Sequence, residues 1–433
     1  MKQDAYSLRL ASTRAGVAPP LTNLKRETMR KQLLGTTALV AAGLFVVADA
    51  GPASAQQKVE PIKVTIGGYV APFVSFVDQD DVGAAAPGTP AGRAGKLVKI
   101  DTHTDQEIHF NGRTTLANGI TIGINIQLEA NTSGDQIDES FTFVQGNFGR
   151  IEIGQVNNVV YRMHFKAPDV FTRGGINEGN LTNFVVNPTG SPSNDSTFLA
   201  TNNRFFDNDG DKINFYTPRV GGFQFGVTYV PDSTQDTAAP TPRSTRYTQG
   251  YGVGANFVRA LGPVNVQASA GYFTWQGPQL SATANAPDPD LIQFGLVVGF
   301  GGFAVGASYA EVNDGRSNSG APATAAVTAG AGPLRQEGRA YDIGASYTTG
   351  PVSVSITYFN GNNDDSPVAA ASLGDDEATG VALAGKYVLG PGISLDVLIF
   401  TVSLEGNGPP PTPTSAPRNN DATGGVVGLV LVF

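Results

Sequence analysis

The chain of 433 residues contains no cysteine, which excludes disulfide staples, thiol catalysis and cysteine-based metal sites. Only three histidines occur, His103, His109 and His164, so a histidine-dependent hydrolase or metal centre has little to work with. His109 shares a strand face with Glu107, but no Gly-x-Ser-x-Gly elbow accompanies the pair. Charged residues make up only 15% of the chain and hydrophobic ones 40%. Even so, beyond residue 50 no uninterrupted apolar run approaches the roughly 20 residues that a helix needs to cross a bilayer. A membrane-spanning reading must therefore use strands, because only a helix or a closed barrel satisfies its backbone hydrogen bonds in lipid.

What is abundant points to strands. The 54 glycines, with many Val, Ile, Phe, Tyr and Thr, favour extended segments joined by tight turns. Ile120, Ile122, Ile124, Ile126 and Leu128 alternate with Thr121, Gly123, Asn125, Gln127 and Glu129, and the same period recurs at 264–272, 292–300 and 352–358. A soluble sandwich alternates too, so the content of the two faces decides. One face carries Ser, Thr, Gly, Asn and Gln, suited to a water-filled lumen. The other is apolar with aromatics near its ends, at Tyr229, Tyr272, Tyr309, Tyr347, Tyr358 and Tyr387, as in a girdle at a membrane interface.

Turn signals set the strand count. Ala117-Asn118-Gly119, Gly146-Asn147-Phe148-Gly149, Gly221-Gly222, Gly262-Pro263, Gly301-Gly302, Gly350-Pro351 and Gly390-Pro391-Gly392 mark short connectors. Long polar stretches alternate with them, including low-complexity pieces at 83–95 and 319–333. Seven hairpins plus a strand at each end predict an all-β, antiparallel transmembrane barrel of sixteen strands. Its last strand closes on Phe433 after Val427, Leu429 and Leu431, and its first is predicted at 64–77. One connector, 157–211, is far longer than ordinary loops and is the third long one by count. The Gly-Ala-Ser-Tyr at 306–309 recurs at 344–347, which reads as the shared demands of barrel strands. Gly250-x-Gly252-x-Gly254 lies inside an alternating strand, so it is a backbone feature and not a phosphate cradle.

The first 55 residues read as an upstream extension plus an export signal. Met29-Arg30-Lys31 precedes an apolar stretch at 33–47, and Ala53-Ser54-Ala55 gives the small-x-small cleavage pattern. Met29 is the expected start, cleavage is expected after Ala55, and 56–433 form the barrel. Of the 28 basic and 37 acidic residues, seven and three lie in 1–55, which leaves 21 and 34. So acidic a chain is a poor partner for nucleic acid.

Several stretches carry a family resemblance. They are Ile108-His109-Phe110-Asn111-Gly112-Arg113 with Asn118-Gly119, then Phe148-Gly149-Arg150-Ile151-Glu152-Ile153-Gly154-Gln155, then Tyr216-Thr217-Pro218-Arg219 with Gly221-Gly222-Phe223. In this order they resemble the general, trimeric porins of Gram-negative bacteria, most closely the alphaproteobacterial type. The resemblance implies a barrel whose long third loop folds into the pore, and passive diffusion of small hydrophilic solutes and ions. It implies a homotrimer set in outer-membrane lipid and lipopolysaccharide, with Phe433 as the signal read by the barrel assembly machinery.

In that family acidic loop residues face basic wall residues across the constriction. Asp169 and Glu178 are the loop candidates, and Glu107, His109, Arg113 and Glu129 are the wall candidates. The wall departs from the family pattern, since Glu107 and Gln155 stand where an arginine is usual. Alternation also turns Arg150, Glu152, Lys212, Asp342, Lys386 and Asp396 to the lumen, and the acidic excess predicts a weak cation preference. Asp207, Asp209 and Asp211 surround Gly210 as carboxylates that suit calcium, but the downstream bidentate Glu of a calcium loop is missing. The alternatives are a substrate-selective porin, which would want aromatics in the lumen, a plugged structural or adhesive barrel, and an outer-membrane hydrolase.

Overall fold

The computed structural model describes residues 60–80, 97–131, 136–187, 199–202, 209–233, 247–279, 285, 288–313, 337–363, 376–406 and 419–433. The expected start, cleavage site and low-complexity pieces lie outside these residues. The strands in chain order are β1 (Lys63–Gln79), β2 (Ile100–Thr115), β3 (Thr121–Glu129), β4 (Ile137–Gly146), β5 (Gly149–Gln155) and β6 (Asp211–Tyr216). Then come β7 (Phe223–Asp232), β8 (Thr248–Leu261), β9 (Val264–Gln276), β10 (Asp290–Phe300) and β11 (Phe303–Asn313). The chain continues through β12 (Gly338–Thr349), β13 (Val352–Asn363), β14 (Asp376–Gly390), β15 (Ile393–Glu405) and β16 (Asn419–Val432).

Each strand pairs antiparallel with its chain neighbours, and β1 pairs with β16, so the sheet closes on itself without an edge. At the seam the Phe433 N–H donates to the Gly68 carbonyl at 3.1 Å, and the Gly68 N–H donates to the Phe433 carbonyl at 3.0 Å. The hairpins follow turn chemistry. Gly301 and Gly302 both take positive φ, 56° and 89°, between β10 and β11, as a type I′ turn requires and glycine allows.

The outer face is apolar and uncovered. On β10, Phe294 and Leu296 are each 50% exposed while Gln293 between the outward positions is 1% exposed. Equivalent residues on β7 and β11 to β15 are also exposed. An apolar band of this extent far exceeds what a soluble monomer tolerates, so lipid is its solvent. Aromatic pairs flank the band, with Phe223–Phe257 and Phe303–Tyr347 toward the turns and Tyr229–Tyr251 and Tyr341–Tyr358 toward the long connectors.

Two outcomes follow from this topology. Because the chain lacks cysteine, single cysteines report cleanly. Pro263→Cys and Pro351→Cys should resist a membrane-impermeant maleimide in intact cells, while cysteines placed within 319–333 and 405–417 should react. Deleting Phe433 removes both seam bonds and should lower the yield of heat-modifiable barrel in outer-membrane fractions.

Candidate functional site

The described part of the connector after β5 runs inside the barrel. It opens with a short helix, α1 (Val159–Arg162), capped by Asn158 Oδ1, which accepts the Tyr161 N–H at 2.9 Å. A 3₁₀ turn follows at Asn180–Asn183. Having no ladder of its own, the segment must satisfy its backbone elsewhere, and it does so on wall side chains. The Val159 N–H donates to Thr228 of β7 at 3.0 Å, and the Phe165 N–H donates to Ser269 of β9 at 3.0 Å. The Ala167 N–H reaches Asp342 of β12 at 3.0 Å, and the Val170 N–H reaches Ser355 of β13 at 3.1 Å. The Thr172 N–H reaches Asp396 of β15 at 2.9 Å, and the Val186 N–H reaches Gln79 of β1 at 3.0 Å. These partners lie on the face opposite the exposed apolar band. A segment bonded in turn to β7, β9, β12, β13, β15 and β1 runs around the inside of the barrel.

Glycine makes room for it. A methyl carbon on Gly271 would stand 2.6 Å from Val160, one on Gly226 2.8 Å from Met163, and one on Gly306 3.0 Å from Pro168. Gly252 and Gly254, in the glycine run of β8, lie under Val160 and Met163. The repeated Gly-Ala-Ser-Tyr has the same cause: Gly306 and Gly344 are direct cross-strand partners, and both lie under Pro168. Two dry clusters complete the seat. Val159, Val160 and Met163 pack with Phe273, Trp275 and Leu291, while Phe171, Ile176, Leu181 and Phe184 pack with Phe73, Phe359 and Phe400.

The charges are arranged with acids behind and bases in front. Glu152 is fully buried and accepts Arg150 Nε at 2.7 Å and Arg162 Nη1 at 2.6 Å. The two guanidiniums keep about a third of their surface exposed; Arg150 lies 3.8 Å above the inward-facing Phe143 ring, and Arg162 stands near Phe141 and Tyr216. Asp396 is buried behind Lys386, 3.9 Å away, and the Lys386 Nζ donates to Thr172 at 2.6 Å. Arg173, on the loop, lies 3.4 Å above the Tyr69 ring and 3.8 Å and 4.0 Å from Glu107 and Asp105. Arg173 is 37% exposed against 10% for Glu107.

Of the wall candidates, Glu107 and His109 form one cluster. The His109 Nε2 is 2.7 Å from Glu107 Oε2, and the Tyr69 hydroxyl donates to Glu107 Oε1 at 2.5 Å. Glu129 stands directly across from Glu107 in register. Arg113 is exposed six residues further toward the turn end, where no contact among the described residues brings it to the loop. The two loop candidates have different partners. Glu178 pairs with Lys166 at 2.7 Å. Asp169 is mostly buried, accepts the Phe171 N–H at 2.9 Å, and has its carboxyl pushed up to about 6 by that burial. Both acids line a polar cavity of about 520 Å³ together with Arg173, Lys386, Thr172 and Ser353.

Burial pushes His164 down to about 3, and neither ring nitrogen has a partner among the described residues, so it serves as packing. Asp207 lies outside the described residues, Asp209 is buried and Asp211 opens β6 exposed. Alternation missed Arg162 and Arg173 because loop residues have no strand period. Aromatics also stand on the inner face, where Phe141, Phe143 and Tyr216 lie beside the arginines.

Comparison with known proteins gives the same architecture. Outer membrane porin protein 32 of Delftia acidovorans is 27% identical over 214 residues, 48% of this chain and 53% of that protein, so the chain spans about half the length of this curated relative. An anion-selective porin from Comamonas acidovorans superimposes with a TM-score of 0.53 at 16% identity, covering 86% of this chain and 100% of that one. OmpT of Vibrio cholerae in its trimer form gives 0.53 at 11% identity, again over 86% and 100%. The family described as Gram-negative porin matches residues 35–402. The chain thus belongs to the Gram-negative porins, the β-barrel proteins of the bacterial outer membrane.

Proposed function

We propose that the barrel is a water-filled channel for passive diffusion of small hydrophilic solutes and ions, with the segment after β5 as its constriction. One observation carries this reading: the segment is bonded to the inner wall from β7 around to β1 and packs dry against most of it. What stays wet at that level is the wall of β2 to β4, where His109, Asn125 and Gln127 are half-buried and Asn111 is exposed. A connected row of amides lines it, with Asn125 donating to Asn111 at 2.7 Å and Gln127 donating to Asn125 at 3.0 Å. Such a row offers donors and acceptors to passing solutes without holding any of them strongly. No chemical step is needed. The trimeric form of the Vibrio cholerae neighbour supports a homotrimer here.

The sign of ion selectivity depends on which charges meet the water. The acidic excess of the chain gave the expectation of weak cation preference. At the loop level, however, the carboxylates of Glu152, Asp396 and Asp342 are buried, while Arg150, Arg162, Arg173 and Lys386 keep the exposed share of each pair. Lys166–Glu178 runs the other way. This balance favours a weak preference for anions, the sign also carried by the description of the Comamonas acidovorans neighbour.

A plugged structural barrel is the second reading, favoured only by the density of the two dry clusters. Planar-bilayer recording separates the two, since a plugged barrel gives no unitary current steps.

If bases set the selectivity, the double variant Arg173→Gln, Lys386→Gln should move the reversal potential in a salt gradient toward cations. A unit charge about 8 Å away in water is worth about 0.5 kcal/mol, roughly twofold in the local concentration of each ion and in opposite directions for cations and anions, so losing two charges should change the permeability ratio by up to about sixteenfold. An unchanged or opposite shift would restore the cation assignment. The glycine seat gives an independent check of the constriction. Gly271→Val or Gly306→Val should overpack the loop by about 1–3 kcal/mol, raising single-channel conductance or flicker while the barrel keeps its heat-modifiable migration.

A further inference from the structure

Asp169 and Asn177 stand on either side of Gly175, and the gap between them lacks a donor. Asn177 is fully buried, and its amide orientation is fixed, with Nδ2 donating to Asp342 Oδ2 at 2.8 Å and to the Ala167 carbonyl at 3.4 Å. Flipping it would turn an oxygen onto the Asp342 carboxylate, so Oδ1 must point away. That Oδ1 has no partner among the described residues, and neither has Asp169 Oδ2. Both oxygens lie against one side of Gly175, where a methyl carbon would stand 2.6 Å from Asp169 Oδ2 and 3.4 Å from Asn177 Oδ1. The Ile176 N–H faces the same carboxyl without reaching hydrogen-bond geometry at Oδ2. Two buried acceptors turned toward one gap are unfavourable unless a donor is supplied.

We propose that the donor is the proton of Asp169 itself. Its Oδ2–H donates to Asn177 Oδ1, and this bond locks the loop tip 169–177, which carries Arg173, against the wall. When the carboxyl ionises the proton leaves to water, two lone-pair oxygens face each other, and the tip loosens. The constriction is thereby sensitive to protons at a residue that holds the loop and does not itself filter ions. This inference rests on the channel reading above.

The charged neighbours set where the switch falls. Glu178 opposes ionisation of Asp169 and Lys166 favours it. Asp342 lies behind Asn177 with its carboxylate filled by four donors, from Ala167, Ser308, Thr201 and Asn177. Arg173 and the Lys386–Asp396 pair border the same cavity. Burial is the largest influence and places the transition near 6. A carboxyl raised in this way is protonated below that pH, so the lock is closed in acid and lost as the pH rises through about 6.

The test is single-channel recording of the full chain in planar bilayers at pH 5 and pH 7. The ionised fraction of a group titrating near 6 rises about tenfold over this interval, and wild-type current fluctuations should rise with it. Asp169→Asn places an amide donor opposite Asn177 at every pH and should hold the quiet, acid-side behaviour at both values. Gly175→Ala pushes the carboxyl out of the gap and should give the noisy behaviour at both. Wild-type currents that do not change between pH 5 and 7 would overturn the lock, as would an Asp169→Asn channel that follows the wild-type profile. A dependence on sodium against potassium in place of pH would overturn it too, in favour of a bound cation. Absence of unitary currents at either pH would defeat the channel reading itself, whereas steady pH-independent conductance defeats only the lock.

Discussion

A peptide group that enters lipid, or is buried away from water, must find its hydrogen-bond partner within the protein, and this requirement shapes both the wall of the barrel and what stands inside it. The sixteen strands meet it by pairing all the way round, with Gly68 and Phe433 exchanging the bonds that complete the β1–β16 seam. The segment after β5 does not meet lipid, but where it packs against the wall its buried peptide groups also need partners, and no neighbouring strand supplies them. The inward-facing hydroxyls and carboxylates supply them instead. Thr228, for example, accepts the Val159 N–H while its own hydroxyl donates to Asn214 at 2.5 Å, so its direction is fixed from both sides. The polar inner face is thus more than a surface that tolerates water: much of it is a template that holds the loop on a defined path.

The same economy governs charge. A carboxylate taken out of water is costly unless it is paired or well hydrogen-bonded. Glu152 is held by two arginines, with Asn214 adding a third contact at 3.3 Å. Asp342 has no basic partner among the described residues and is satisfied by four neutral donors, three of them from the loop. Anchoring the loop therefore buries acids on the inner face and leaves the paired bases the more exposed partners. Counting charges along the sequence treats both members of a pair as equal, and burial makes them unequal.

The strands were legible because period 2 is enforced independently on each of them by lipid on one face and polar contacts on the other. The predicted first strand, 64–77, falls within β1 at Lys63–Gln79, and the return expected at Lys212 begins one residue earlier at Asp211. The seven turns were readable from Gly-Gly, Gly-Pro and Asn-Gly because those positions need a conformation that few other residues adopt. The destination of each loop residue was not readable. Nothing in the spacing of 157–211 tells that Asp169 turns into the loop while Arg173 turns onto Tyr69. The glycines of β7 to β12 did hold a trace of the loop's path. They read as properties of strands because the element that crowds them lies elsewhere in the sequence.

Arg173 shows how backbone and charge are bound together in this loop. Its φ of 69° is uncommon for a residue with a side chain, and such a conformation costs on the order of 1–3 kcal/mol. Gly174 and Gly175 follow directly, so a glycine at 173 would have been an unstrained way to make the same turn. The arginine is retained where the strain is, and its guanidinium meets the face of Tyr69 and the edges of Asp105 and Glu107. Those contacts offset the strain only while the loop tip lies against β1 and β2. Any movement of the tip away from the wall releases the backbone and uncovers two carboxylates at once, so the position of this loop and the charge exposed beside it change together.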